Sequence, residues 1–155
     1  MKRASVVLMG LALVLVSAAA QAGDELVIRD AWVPEAPPTA PAMAAYMVLE
    51  NGSDEPRAIR SAEAPGFDRV ELHLSKMEDG LAKMIEQDRI VVPANGEQAL
   101  EPGGYHIMLI GIQERRLAGD VVPVTLHFEN GETRVVDAPV KKRTMGGHGM
   151  HHHGH

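Results

Sequence analysis

From Glu25 to Val136 the chain never sustains the apolar period of a helix, about 3.6 residues. Short apolar runs alternate with polar residues instead, and Gly, Pro and Asn break them up. That is the pattern of strands with one buried face. Strands are expected at Glu25–Val33, Met43–Leu49, Arg57–Ser61, Arg69–Leu74, Leu81–Ile85, Arg89–Val92, Tyr105–Ile110, Val121–Phe128 and Thr133–Val136. Pro34 to Pro41 is proline-rich and reads as a loop, because proline offers no ladder donor. Asn51-Gly52 and Pro93-Ala94-Asn95-Gly96 read as turns, and Asn130-Gly131 as a hairpin tip. Many short strands at this spacing predict an all-β sandwich or barrel. A chain of 155 residues is enough for one such domain. With few aromatics, valine, leucine and isoleucine must fill most of the core. Trp32, the single tryptophan, is expected there with its N–H partnered.

The two ends read differently. Lys2 and Arg3 precede an apolar run from Ala4 to about Ala20, which closes on Ala20-Gln21-Ala22. This is the form of a signal peptide, residues 1–22, with maturation expected before Gly23 and the periplasm as destination. Its removal takes away two positive charges and no negative ones, so the formal net charge moves from -6 to -8. An acidic chain is a poor partner for nucleic acid, and Lys141-Lys142-Arg143 is too short a basic cluster to change that. There is no cysteine. A disulfide scaffold, a cysteine-linked lipid and a thiolate metal site are therefore all excluded, and no stable membrane insertion is expected. At the other end, residues 141–155 form a tail rich in Gly, His and Met with no apolar pattern, expected to be flexible.

Histidine and methionine are unevenly placed. His73, His106 and His127 are the only histidines before the tail, and Met84 and Met108 lie near two of them. Period two puts His106 and Met108 on one strand face, with Tyr105, Ile107 and Leu109 on the better core face. In the same way Glu71, His73 and Ser75 share a face opposite Val70, Leu72 and Leu74. Two such histidines converge if their strands are neighbours. Taken singly, a strand methionine is commonly core filler and a polar-face histidine commonly just solvated. His127, between Leu126 and Phe128, reads as a surface histidine. The tail adds Met145, His148, Met150, His151, His152, His153 and His155. An expression tag is the bland alternative, but Gly and Met interrupt the histidine run.

His73, Met84, His106 and Met108 are spaced H-x10-M-x21-H-x-M, and Leu100 to Leu109 reads LEPGGYHIML. This resembles the periplasmic PCu(A)C copper chaperone family, and the likeness runs from about Asp30 to Val140. The resemblance implies a single cupredoxin-like Greek-key β-sandwich that binds Cu(I) through those four residues. It implies delivery to the copper-bearing subunit of cytochrome c oxidase, often alongside a thioredoxin-like copper protein. Some members carry a Met/His-rich C-terminal extension similar to this tail. One departure is visible: the family often has methionine directly after the first histidine, and here that residue is Leu74, with Met77 nearby but off-register.

The donor types suit the ion independently of any family. Cu(I) is soft and accepts thioether and imidazole with little geometric demand, whereas Cu(II) prefers nitrogen and oxygen, which the tail's imidazoles supply. Four neutral ligands leave the site with one positive charge, cheaper to bury than two. A blue-copper carrier or a thiol oxidoreductase would need cysteine, and no Ser-His-Asp order or carboxylate pair stands out, so no enzyme is expected. A periplasmic copper-sequestering protein for copper tolerance would show the same ligands. It would differ in exchanging copper slowly. A β-sandwich adhesion module with incidental histidines would not bind the metal.

Overall fold

The computed structural model describes residues 25–143, and within them the chain forms ten strands. In chain order they are β1 (Leu26–Pro34), β2 (Ala42–Asn51), β3 (Arg57–Glu63), β4 (Phe67–Glu78), β5 (Leu81–Glu86), β6 (Ile90–Val92), β7 (Gly96–Leu100), β8 (Tyr105–Ile112), β9 (Val121–Phe128) and β10 (Thr133–Lys141). Hydrogen bonds link them in the order β5-β4-β8-β7-β2-β1-β10-β9-β3-β6. The pairing is antiparallel nearly throughout. Between β1 and β10 it is parallel and slight, with only Val33↔Val140 and Pro34↔Lys141. At that joint the ladder folds over. Leu49, Leu72, Ile107 and Leu109 from one side then meet Ile59, Val124, Leu126 and Phe128 from the other in a single core cluster. The result is the expected all-β sandwich, with no helix among the described residues.

Strand alternation explains most of the burial. In β9, Val122, Val124, Leu126 and Phe128 point inward while their neighbours are half-buried or exposed. Burial at about 25 cal/mol per Å² of apolar surface makes these inward rows the main source of stability.

Several elements differ from the sequence reading. β7 was not expected, because Gly96-Glu97-Gln98-Ala99-Leu100 has neither β-branched residues nor alternation. It forms because β2 offers it a partner edge, from Met47↔Leu100 to Asn51↔Gly96. Asn51-Gly52 ends β2, as its turn signal predicts, without closing a hairpin, since β2 and β3 do not pair. Asn51 is instead buried, donating to the carbonyls of Glu55 and Pro93 and accepting from Ser53, so its side chain pins the crossing from one layer to the other. Trp32 stands outside the core cluster. It is half-buried, with its ring 5.3 Å from that of Tyr46. A bulge in β1 between Arg29 and Trp32, with Asp30 at φ 56°, turns it there.

β4 runs four residues beyond its expected end and forms a hairpin with β5. The turn is Asp79-Gly80, at φ 51° and 76°, which suits a two-residue hairpin loop.

Candidate metal centre

β8 is where alternation fails. Ile107 and Leu109 are fully buried on the core face, yet His106 on the opposite face is only 2% exposed. Tyr46 of β2 covers it, with ring centroids 6.3 Å apart. Beside it opens a cleft of about 440 Å³, walled by the proline-rich segment that follows β1 and by the start of β2. Met84, His106 and Met108 all line this cleft. Gly111 locks its edge: its N–H donates to the Pro41 carbonyl at 3.0 Å, tying the proline-rich segment to the end of β8.

The four body residues singled out from the sequence come together as follows. β4 lies antiparallel to β8, with His73 directly opposite His106 and Glu71 opposite Met108. The two imidazoles are 5.7 Å apart, edge to face. A single ion bonded to one nitrogen of each ring spans that separation. The β4–β5 hairpin sets Ser75 opposite Met84, so Met84 shares the His73 face, and the Ser75 hydroxyl donates to its sulfur at 3.0 Å. Met84 is 55% exposed, Met108 half-buried and His73 mostly covered.

The hydrogen bonds divide the ring nitrogens. His106 Nδ1 lies 3.1 Å from the Gly104 carbonyl, and His73 Nε2 lies 2.8 Å from Glu71 Oε2. Carbonyl and carboxylate oxygens only accept, so both of those nitrogens carry the proton when the rings are neutral. The remaining two, His73 Nδ1 and His106 Nε2, are buried without any partner. Orphaned buried polar atoms are costly, about 1–3 kcal/mol each, and call for an explanation. Two imidazole lone pairs on facing rings fit a bound metal ion. No group of three or more His, Asp or Glu among the described residues could hold a metal. The thioethers of Met84 and Met108, which line the same cleft as His106, are the further soft donors at hand.

Burial, more than any other cause, holds the His106 imidazole below the usual histidine range, and His73 adds to this while the Gly104 carbonyl opposes it. Glu71 is held below the usual carboxylate range by Arg69 first and His73 second.

Other sequence candidates lie elsewhere. His127 is on β9, 3.5 Å from Glu63, far along the ladder from β4 and β8. Met77 shares the His73 face of β4 opposite Ala82, at 67% exposure, and Leu74 points to the other face. Met145, His148, Met150, His151, His152, His153 and His155 lie outside the described residues, as does the expected signal segment. Glu71 had no assigned role in the sequence reading, although Glu-x-His on one strand face was the available signal.

A single-domain β-sandwich with these elements is of the cupredoxin-like class. The solved copper-bound PCuAC domain from PmoF2 shares it: TM-score 0.65 and 23% identity, covering 78% of this chain and 96% of that one. The apo form of DR1885 from Deinococcus radiodurans superposes with TM-score 0.59 at 31% identity, over 92% of this chain and 95% of that one. Its Cu(I) form gives 0.58 at 32%, over 83% and 84%. A protein of Leifsonia xyli subsp. xyli described as a lipoprotein, Lxx21020, is 31% identical over 119 residues, 76% of this chain and 70% of the relative. The LpqE-like lipoprotein family model matches residues 26–140. The chain belongs to this family, that of the PCuAC copper chaperones.

Proposed function

We propose that this protein binds one Cu(I) through His73, Met84, His106 and Met108 and hands it to the copper-bearing subunit of cytochrome c oxidase. In this reading it works in the periplasm, alongside a thioredoxin-like copper protein, and is not an enzyme. The observation that carries it is the pair of buried, partnerless nitrogens on facing imidazoles, flanked by two thioethers. Soft sulfur and neutral imidazole favour Cu(I) over harder ions. The Cu(I) form of a relative at 32% identity supports the choice of ion. Export is supported by the signal-like first 22 residues and by a relative described as a lipoprotein, although this chain has no cysteine to carry such a lipid.

The geometry suggests how the ion leaves. Met84 is exposed on an edge strand, while His106 is buried. A partner's ligand would displace Met84 first and the histidines last, so the ion is never free.

X-ray absorption of the Cu(I)-loaded protein should show two sulfur and two nitrogen scatterers; a shell without sulfur would sink the assignment. Met108→Ala should weaken Cu(I) by more than about tenfold, an affinity change of about 1.4 kcal/mol or more. Its folding cost should stay below the roughly 2–5 kcal/mol of a fully buried Met→Ala change. Mixing the loaded protein with an apo oxidase copper domain should move the metal within seconds to minutes. Retention of the metal would favour storage.

A further inference from the structure

We propose that Glu71 is a positioning residue which selects the nitrogen that His73 offers to the ion, so that the two histidines bind through different atoms: Nδ1 of His73 and Nε2 of His106. The inference rests on the proposed function, because it assigns roles within that site.

Two independent hydrogen bonds carry it. Glu71 Oε2 is 2.8 Å from His73 Nε2, and the Gly104 carbonyl is 3.1 Å from His106 Nδ1. A histidine presents to a metal the nitrogen that its other hydrogen bond leaves free. The bonds fall on opposite nitrogens of the two rings, and the buried, partnerless atoms are the two complements. A histidine side chain in water exchanges between its two tautomers and turns freely, so the partner fixes both the tautomer and the ring.

Glu71 itself is committed elsewhere. Its other oxygen, Oε1, accepts from Arg69 Nε at 2.7 Å, and hard carboxylate is a poor donor for a soft ion. Strand register makes the arrangement compact. Glu71 and His73 are two apart on one face of β4, opposite Met108 and His106 on β8. The carboxylate also places one negative charge beside a site that gains one positive charge on loading, and this favours the cation without entering its shell. Arg69 is well exposed, so its ion pair with Glu71, although the larger influence on that carboxyl, is screened by solvent.

The test uses the full chain. Long-range proton–nitrogen NMR of the metal-free protein should show His73 protonated on Nε2 and His106 on Nδ1. In Glu71→Leu the His73 signals should move toward the tautomer mixture of a solvated histidine side chain, while His106 stays as it was. Cu(I) affinity, measured against a competing Cu(I) chelator, should fall about 10–100-fold, the usual cost of losing such an outer partner. The two-sulfur, two-nitrogen shell should persist. Glu71→Gln keeps an accepting oxygen and should restore the tautomer and most of the affinity. Should the leucine variant fail to fold, Glu71→Ala, which also removes the acceptor, takes its place with the same expectations. An unchanged tautomer or an unchanged affinity in Glu71→Leu, or a Glu71 oxygen in the metal shell, overturns the role of Glu71. A wild-type protein that binds no Cu(I) overturns the proposed function instead, and the metal-free NMR result tells the two failures apart.

Discussion

His106 is a histidine that the fold buries in its neutral form. Burial penalises the imidazolium, the neighbouring His73 adds to the penalty, and the Gly104 carbonyl offsets only part of it. The consequence for stability has a definite sign. In the unfolded chain His106 titrates near the ordinary value of about 6.5; in the folded, metal-free protein it titrates lower. Between the two values the unfolded state holds a proton that the folded state lacks, so stability falls as pH drops through that window. Urea midpoints of the metal-free protein should therefore decline as pH falls below about 6.5. His106→Gln should remove that part of the slope; an identical slope in both would refute the assignment. Bound copper would keep that proton off the folded state altogether, so loading should raise stability near neutral pH and steepen its decline on acidification. At this scale period two was enough to pair His106 with Met108, and His73 with Glu71 and Ser75, on the faces where they lie. It could not show that His106 is buried, because the cover comes from Tyr46 and a loop far from it in sequence.

Among the elements, β8 depends on its final bend. Gly111 sits at φ 71°, and a Cβ there would run into the Asp68 carboxylate across the ladder. Gly111→Ala therefore combines a left-handed backbone with a steric clash. It should cost about 1–3 kcal/mol or more, read as a lowered urea midpoint. The Gly111 N–H also holds Pro41, so the cleft beside His106 should loosen at the same time, seen as faster amide exchange around residues 36–44. A fully stable alanine variant would contradict this account. The β4–β5 hairpin was legible in principle, because Asp79-Gly80 between two apolar runs is a strong two-residue turn signal. That turn alone sets Glu78 against Leu81, hence Ser75 against Met84, hence Met84 on the His73 face. β7 was not legible, since its residues have little strand preference and only the free edge of β2 makes them a strand.

At the scale of the whole molecule the tail poses the next question. Its His and Met residues follow Arg143, a residue lining the same cleft as Met84, His106 and Met108. We expect the full chain to bind additional Cu(II) through the tail's five histidines, and removal of 145–155 to abolish that binding while Cu(I) binding at the core is unchanged. Isothermal titration of both forms with each ion checks it, and equal Cu(II) uptake by the shortened chain would make the tail a bystander. β10 ends at Lys141, so the deletion leaves every described strand whole. What the sequence determined by itself was local: the strand period, the turns, the faces within each strand, and the histidines and methionines available as candidate donors in a chain without cysteine. Which strands became neighbours was decided by the tertiary structure. β4 and β8 are separated by β5, β6 and β7, and no short turn sets their register. The fit of Val70, Leu72, Ile107 and Leu109 into the core does that, and a slip of one residue would send every inward side chain to the other face. His73 meets His106 in the register that seats Val70 and Leu72 of one strand and Ile107 and Leu109 of the other against the core.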